Sequence, residues 1–277
     1  MGSLRYEELR PSGPAASWIA AIWQIRGTPG APGLRGHRVL PDGCADIFFD
    51  LGRWSRSGGN SAGSPAGRLV GPMTRAIVTP LSGQVDFFGI RFRPGVVRSF
   101  AECDARDLRD EVIPLADAGI VLPLSDDQLF REACLLNRSR LVLPGITRRL
   151  GAGRTPDAVV HAAIETWKAA VKTEQPLPPV AAVARCAGVT ERSLERRFAA
   201  WAGYTPAQFR RLIRFRSALT VSEGGSRPWV DTAVRCGYAD QAHLSREFRE
   251  FASTTAHDWA NEQEPVGIVQ DARIASV

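Results

Sequence analysis

TERSLERRFAAW, residues 190–201, is the stretch that is most informative about the fold of this chain. Its spacing is that of an amphipathic α-helix, because Leu194, Phe198 and Trp201 recur at i, i+4 and i+7. Thr190 is a favourable N-cap for such a helix. The stretch therefore predicts a helix with one packed apolar face and one exposed, mostly basic face.

A second copy of this helix lies fifty residues further along the chain. Residues 240–251 read DQAHLSREFREF, in which Leu244 and Phe248 take the places of Leu194 and Phe198. The copy keeps both the apolar face and the polar face. A repeated helix of this kind predicts a repeated task.

Each copy follows a short apolar segment and a turn that contains glycine. Val180–Cys186 and Gly188 precede the first copy, and residues 229–236 and Gly237 precede the second. Two helices joined by a tight turn form a helix-turn-helix, whose second helix can enter the major groove of DNA. Because the whole pattern occurs twice, the sequence predicts two helix-turn-helix units.

Residues 155–260 resemble the DNA-binding domain of the AraC/XylS family of bacterial transcription regulators. The segments that carry the resemblance are VARCAGVTERSLERRFAAWAGYTPAQFRRLIRFRSAL and AVRCGYADQAHLSREFREF. The resemblance implies two helix-turn-helix units on a long joining helix, with both recognition helices in successive major-groove segments on one face of DNA. The joining helix is expected to begin at Thr205 and Pro206, a cap followed by proline at the first helical position, and to end near Val221.

The second unit departs from the usual pattern of that family at four positions. Thr232 stands where a larger aliphatic residue is customary, and Leu244 where an aromatic residue is common. Ser253 and Ala256 stand where glycine and proline usually close the motif. We therefore expect the packing of the second unit to differ from that of the first.

Positive charge is concentrated in the first unit and the joining helix. The chain has a formal net charge of +6 at pH 7. Residues 177–222 contain eight arginines and two glutamates, whereas residues 223–260 contain four arginines and six acidic residues. Clustered arginines are the electrostatic feature expected of a phosphate-binding surface. We expect the first unit to supply most of the sequence-independent attraction to DNA, with a merely solvated face as the alternative for any single arginine.

Base contacts are expected from the exposed faces of both recognition helices. Arg196 can donate two hydrogen bonds to guanine O6 and N7, and Glu195 can accept one from cytosine N4. In the second helix, Gln241 suits adenine, Arg246 suits guanine and Ala242 can touch a thymine methyl group. The base-contacting positions of the family, carried over by the Leu-x-Arg-x-Phe pattern, fall on the same part of the first helix. The expected DNA-contacting residues are Arg192, Glu195, Arg196, Arg197, Arg211, Arg214, Gln241, Ala242, His243, Ser245 and Arg246.

Phosphate contacts are expected from arginines that flank the base-reading residues. Arg197 lies on the side of the first recognition helix, and Arg211 and Arg214 lie on the joining helix. Such residues position a protein on the duplex without reading its sequence. For each polar residue the alternative is a pair within its own helix, such as Arg192 with Glu195.

An antiparallel, β-rich domain is predicted for the first half of the chain. Residues 37–51, HRVLPDGCADIFFDL, contain two strands around a Pro-Asp-Gly turn, in which proline restricts φ and glycine accepts a positive φ. Further strands are expected at 69–73, 76–80 and 85–92, whereas 16–26 suits either a helix or a strand.

A helical part is expected to follow the strands. The expected helices lie at residues 96–100, 105–112 and 125–137. In the last of them, Leu129, Ala133 and Leu136 have the spacing of an apolar stripe. Such a stripe is more often part of a core than a dimer contact, so a homodimer is the lesser alternative.

The first half also resembles an uncharacterised domain that often precedes this DNA-binding domain in bacterial regulators. The segments that carry this resemblance are VLPDGCADIFF, GPMTRA, FFGIRFRPG and LRDEVIPL. In the wider family the N-terminal half is commonly a β-barrel, which makes a cupin-like barrel the form implied here. The resemblance further implies a small-molecule effector or a dimer contact for this half, and RNA polymerase as a partner.

We therefore expect an α+β protein with two domains. A β-rich sensor or oligomerisation domain is expected at 1–143, a linker at 144–154, the all-α DNA-binding domain at 155–262 and a disordered tail at 263–277. The predicted function is sequence-specific, effector-responsive transcription regulation with double-stranded DNA as the partner. Neither catalysis nor a cofactor is expected, and activation and repression both stay open.

A metal-dependent enzyme is the alternative from another functional class. His37, Asp42, Asp46 and Asp50 lie close together in the sequence and carry ligand types that a divalent metal accepts. Against a metal site, Asp42 has a clear turn role, and no second histidine lies nearby. We therefore expect turn and surface roles for these residues, and no bound metal.

Cysteine usage and hydropathy argue against several further classes of protein and site. The five cysteines form no C-x-x-C pair, so neither a disulfide scaffold nor a zinc site is expected. An oxidant sensor at Cys44 or Cys103 would require a lowered thiol pKa, and Arg91 or Arg93 could serve that purpose or bind an anionic effector. The chain has no run of eighteen apolar residues and no signal peptide, so we expect it in the cytoplasm.

Overall fold

The computed structural model describes residues 4–29, 37–52, 67–79, 83–122, 126–223 and 228–262. Its strands are β1 (Leu4–Leu9), β2 (Ile19–Gly27), β3 (His37–Val39), β4 (Ala45–Asp50), β5 (Arg68–Val70), β6 (Ile77–Thr79), β7 (Val85–Phe92) and β8 (Val112–Pro114). Its helices are α1 (Asp126–Arg131), α2 (Leu135–Ala152), α3 (Ala158–Lys172), α4 (Val180–Cys186), α5 (Glu191–Ala202), α6 (Pro206–Glu223), α7 (Trp229–Arg235), α8 (Gln241–Ala252) and α9 (Ala256–Glu262). The predicted α+β class is confirmed, and the expected tail at 263–277 lies outside the described residues.

Six of the strands form one antiparallel sheet in the order β1-β2-β7-β4-β5-β8, and β3 pairs with β6 in a separate two-stranded ribbon. The segment at 16–26, for which a helix and a strand were both open, forms β2 over most of its length. Ile22 on β2 and Ile47 on β4 lie on either side of Ile90 on the central strand β7. All three are buried, because alternate side chains of neighbouring strands share one face of a sheet.

A buried ion pair joins α2 to this sheet. The guanidinium of Arg138 donates to both carboxylate oxygens of Asp86 on β7, at 2.6 and 2.8 Å, and to the side-chain oxygen of Gln24 on β2 at 3.3 Å. Arg138 has no exposed surface. A buried guanidinium is tolerated only with such partners, so the pair defines where α2 lies on the sheet.

The expected linker at 144–154 is wrong for most of its length. Residues 144–152 continue α2, and Ile146 and Leu150 are buried in the core of the first domain. Val142, Ile146 and Leu150 recur at i, i+4 and i+8, so they share one buried face of α2. The contact of this face with the core outweighs the helix-breaking tendency of Pro144. The two domains are therefore joined by only the short segment between α2 and α3.

The other expected helices of the first domain also differ from the structure. Residues 96–100 contain a single 3₁₀ turn, Val97–Ser99, and 105–112 consist mainly of turns that lead into β8. The expected helix at 125–137 is interrupted between α1 and α2. Leu129 is consequently buried in the core whereas Leu136 is exposed, so these residues do not form one stripe.

Helices α3 to α9 form the second domain, and its two helix-turn-helix units are α4 with α5 and α7 with α8. Thr190 caps α5 by accepting a hydrogen bond from the Ser193 amide at 3.2 Å. Asp240 caps α8 by accepting one from the His243 amide at 2.6 Å. α6 joins the units and begins with Pro206, as expected. No described helix has both the length and the apolar character that membrane crossing demands.

Two departures from the family pattern have local consequences in the second unit. Thr232 is completely buried on α7, and its hydroxyl has no hydrogen-bond partner among the described residues. Ser253 ends α8 at φ +54°, in the left-handed region that favours glycine. The corresponding residue after α5 is Gly203, at φ +78°. Both departures therefore reduce the stability of the second unit.

Candidate nucleic-acid interface

The helix α5 presents a polar surface because its apolar residues are used for packing. Leu194 and Phe198 are buried in the core of the second domain. Arg192, Glu195 and Arg196 are exposed on the other side of the helix. The structure thus places these three predicted base-reading residues together on one accessible surface, which we call the α5 face.

Arg197 lies at the edge of this face and has an intramolecular partner. Its guanidinium donates to Asp157 Oδ2 at 2.9 Å. The other carboxylate oxygen, Oδ1, caps α3 by accepting hydrogen bonds from the amides of Val159 and Val160. Arg197 therefore ties α5 to α3, a role that the sequence analysis did not find, and its phosphate contact stays a prediction.

The helix α8 presents an equivalent surface. Gln241, Ala242 and Arg246 are exposed, and Leu244 and Phe248 are buried beneath them. We call the exposed residues the α8 face. Because the two helices share one packing plan, Arg246 on this face corresponds to Arg196 on the α5 face.

Two predicted contacts on α8 are partly buried and already interact within the domain. Ser245 donates a hydrogen bond to the carbonyl of Gln241 at 2.9 Å. The His243 ring packs edge-on against Tyr238, with 5.2 Å between the ring centroids. Their DNA contacts stay predictions, and both residues lie farther from solvent than Gln241 and Arg246.

Arg211 and Arg214 on α6 are bound by a carboxylate of the second unit. The buried Glu247 accepts a hydrogen bond from Arg211 Nε at 2.9 Å and another from Arg214 Nη2 at 2.7 Å, both at Oε1. Its other oxygen, Oε2, accepts one from the Tyr238 hydroxyl at 2.8 Å. The exposed Glu250 is a further partner of Arg211. The phosphate contacts of Arg211 and Arg214 stay predictions, and both arginines already have carboxylate partners within the domain.

Burial and charge explain how this cluster is held. The Arg214 guanidinium lies 4.3 Å from the centroid of the Tyr238 ring, a cation–π distance. Burial, followed by the neighbouring carboxylate of Glu247, raises the pKa of Tyr238. Tyr238 therefore stays a neutral hydrogen-bond donor to Glu247, and the cluster joins α6, α8 and the turn between α7 and α8.

Glu247 is the functional residue that sequence reasoning missed. It stands between Leu244 and Phe248 on the inward side of α8, where an unpartnered carboxylate would be strongly disfavoured. A glutamate at an inward helical position, together with two arginines spaced i and i+3 on a neighbouring helix, was the signal available. The acidic composition of the second unit is thus explained in part by charges directed at α6.

Two carboxylates of the alternative metal site, those of Asp42 and Asp46, are paired with an arginine. Arg91 Nε lies 3.4 Å from Asp42 Oδ2 and 3.2 Å from Asp46 Oδ1, and the Trp23 indole donates to Asp46 Oδ1 at 2.9 Å. Burial raises the pKa of Asp46, and Arg91 opposes that shift. The described residues contain no group of three or more histidine, cysteine, aspartate or glutamate residues suited to a metal ion.

The remaining alternatives from the sequence are an oxidant-sensing cysteine and an arginine that binds an anionic effector. Burial raises the pKa of the thiols of Cys44 and Cys103, which is the opposite of what a reactive thiolate requires. Arg91 is neutralised by aspartates, and Arg93 donates to the Ala16 carbonyl at 2.8 Å. These contacts favour a structural role for each of the four residues.

Two exposed recognition helices on a shared joining helix define a DNA-binding protein. Residues 183–262 match the family model described as "Helix-turn-helix domain", and residues 7–114 match one described as "Domain of unknown function (DUF6597)". No curated protein matches the chain. The chain therefore carries a helix-turn-helix domain, a kind of domain that binds DNA, behind a domain of unknown function.

Solved structures with similarity to the chain include a transcriptional regulator and ToxT. A transcriptional regulator with an AraC-type DNA-binding domain from Chromobacterium violaceum has 22% identity, a TM-score of 0.35 and coverage of 39% of this chain and 94% of that chain. ToxT from Vibrio cholerae has 10% identity, a TM-score of 0.43 and coverage of 95% and 98%. A structure of ToxT with an unsaturated fatty acid bound has 10% identity, a TM-score of 0.41 and coverage of 93% and 94%.

Proposed function

We propose that this protein recognises a bipartite DNA sequence by inserting α5 and α8 into successive major-groove segments on one face of the duplex. The observation that supports this proposal is the matched exposure of the α5 face and the α8 face above equivalent buried Leu and Phe residues. Each face carries one long arginine at the same helical position, Arg196 and Arg246. An arginine there can bind guanine bidentately in the major groove.

The two faces differ in charge, which supports different contributions to binding. The α5 face carries two arginines and a glutamate, whereas the α8 face carries glutamine, alanine and one arginine. Arg211 and Arg214 contribute little free positive charge while Glu247 binds them. In this proposal α5 supplies most of the affinity, and α8 adds sequence discrimination over a second half-site.

The first domain is the regulatory part of the proposed protein. Its sheet carries the partly exposed aromatic residues Trp23, Phe48 and Phe87 on the face opposite the α2 contact. The same proposal includes a small-molecule effector that acts through this domain. It also includes RNA polymerase as the partner at the promoter and a homodimer as the working form. DNA as the target implies action in the bacterial cytoplasm.

Selection of bound sequences from a random DNA pool tests the proposal. Purified full-length protein at near-physiological salt should enrich a motif with two half-sites about 10 bp apart. Enrichment of one short element would mean that α8 does not read bases. Enrichment of no sequence, despite measurable binding to DNA, would reject sequence-specific recognition.

A further inference from the structure

The loop of residues 71–76, called the bridging loop below, contacts both helix-turn-helix units. Tyr204 lies two residues after the end of α5, and its hydroxyl donates a hydrogen bond to the Met73 carbonyl at 2.5 Å. The Ala76 amide donates one to the Phe251 carbonyl in the last turn of α8 at 2.7 Å. One short segment of the first domain therefore touches the carboxyl ends of both recognition helices.

Neighbouring segments of the first domain bind the same two helix ends. The Ala105 amide donates to the Ala200 carbonyl of α5 at 2.9 Å, and the Arg38 guanidinium donates to the Ala252 carbonyl of α8 at 2.8 Å. The last carbonyl groups of an α-helix have no partner inside the helix. The first domain thus supplies the missing donors, and it does so for both recognition helices.

The bridging loop is rigidly attached to the first domain. Both the amide and the hydroxyl of Thr74 donate to the Asp110 carboxylate at 2.6 Å, and the Asp110 amide donates to the Pro72 carbonyl at 3.1 Å. A Cβ atom on Gly71 would lie 1.7 Å from the Leu108 carbonyl oxygen, so that backbone approach is possible only with glycine. Asp110 itself adopts φ +62°, and these bonds hold it in that unfavourable conformation.

The contact between the domains is also closely packed. Leu40 of the first domain is buried in the core of the second domain. A Cβ atom on Gly43 would lie 2.6 Å from the Phe209 ring, and the Arg98 guanidinium lies 5.2 Å from the centroid of the Trp201 ring. Because these contacts combine close apolar packing with a cation–π pair, the two domains are held in one arrangement rather than merely tethered.

We propose that the bridging loop is a positioning element that sets the half-site spacing accepted by the protein. This inference rests on the proposed function, in which α5 and α8 bind one duplex together. Each added base pair rotates the second half-site by about 34° around the DNA axis. Recognition helices held at both carboxyl ends by one rigid loop cannot follow that rotation.

A double variant that removes one hydrogen bond at each helix end, one made by the bridging loop and one made by the neighbouring Arg38, tests the inference in the full-length chain. Tyr204→Phe removes the hydrogen bond to Met73, and Arg38→Met removes the one to Ala252. The matched control is Tyr6→Phe with Arg5→Met. Both residues lie on the edge strand β1, which is four strands away from β5, the strand that precedes the loop. Affinity is measured on duplexes that carry the selected half-sites at the optimal separation and at up to three base pairs on either side.

The expected result is a broader spacing profile for the double variant. Wild type and control should lose roughly tenfold in affinity for each base pair of deviation, and the double variant less than about threefold. Affinity for a single half-site should be equal in all three proteins. A wild-type profile in a double variant that still unfolds cooperatively would overturn the inference.

A second variant covers the case in which the double variant does not fold. Thr74→Val removes the hydroxyl donor to Asp110 and leaves every residue of the second domain unchanged. It should also broaden the spacing profile, and an unchanged profile would count against the inference. Failure of the proposed function looks different, because wild type itself would then show no preference for two half-sites.

Discussion

Arg196 is the residue whose surroundings best fit direct base recognition. It is exposed on the α5 face, and in the sequence it lies between the buried residues Leu194 and Phe198. Arg197, one position further, is instead bound to Asp157. Adjacent arginines on one helix thus have different surroundings, since a rotation of about 100° per residue separates the groove side from the α3 side.

Replacing Arg196 by alanine should weaken specific binding by about 1–3 kcal/mol and relax the preference at one base position. The physical reason is the loss of a bidentate contact to a base, which random DNA does not offer. Competition binding with single-base variants of the selected site measures both effects. Arg148→Ala, an exposed arginine on α2, is the control. An equal loss on random DNA would identify Arg196 as a phosphate contact.

Thr232 is a residue at which stability can be gained. Its hydroxyl is buried on α7 without a partner in the described part of the chain, whereas the isosteric valine has no polar group to satisfy. Thr232→Val should therefore raise the free energy of unfolding by about 1 kcal/mol in urea denaturation. Thr220→Val is the control, because that hydroxyl donates to the Arg216 carbonyl at 3.2 Å. A loss of stability in Thr232→Val would contradict this account.

At the scale of elements, the relation between α6 and α8 depends on one buried carboxylate. Glu247 on α8 binds Arg211 and Arg214 on α6 and Tyr238 in the turn before α8, so the four residues join three parts of the second domain. A buried carboxylate with several donors orients the helices that carry them. The same contacts neutralise part of the positive charge of Arg211 and Arg214.

Glu247→Gln should increase sequence-independent binding to DNA, because it releases the charge of Arg211 and Arg214. The slope of log affinity against log salt on random DNA should steepen by about 0.9 for each arginine that then meets a phosphate. Glu250→Gln is the matched control, since Glu250 is exposed and its partner among the described residues is Arg211. An unchanged slope would show that these arginines do not reach DNA even when they are released.

At the scale of the whole molecule, the first domain and the DNA-binding domain form one packed unit. The close approach of Gly203 to the first domain shows this most directly. A Cβ atom there would lie 2.9 Å from the Ala105 carbonyl oxygen and 3.1 Å from Pro72 Cγ. Contacts of this density predict that the two domains unfold together.

Gly203→Ala should separate the unfolding of the two domains. The control is Gly188→Ala, because Gly188 has a similar positive φ of +68°, but its Cβ atom would meet nothing within 4 Å. Both variants should lose about 1–2 kcal/mol from the left-handed conformation, and only Gly203→Ala should lose more through the clash. Calorimetry should show one transition for wild type and the control and two for Gly203→Ala. A single transition at equal stability in both variants would refute the close contact.

Much of the second domain was predictable from the sequence because its signals are local. The caps Thr190 and Asp240 act on amides three residues away, and the buried faces of α5 and α8 follow helical periodicity. The linker was not predictable, since Pro144 signals a break and only contact with the sheet core keeps α2 helical. Glu247, which binds Arg211 and Arg214, lies more than thirty residues away from both, beyond any local pattern.

The sequence alone was enough to predict the two repeated helix-turn-helix units, their recognition helices and the residues on the exposed faces of those helices. Only the folded structure shows that carboxylates of the same chain bind Arg197, Arg211 and Arg214, and that the bridging loop binds the ends of both recognition helices. The reason is physical. The contacts from Ala76 to Phe251 and from Ala105 to Ala200 are made by backbone groups, which every sequence carries, so no side-chain pattern announces them.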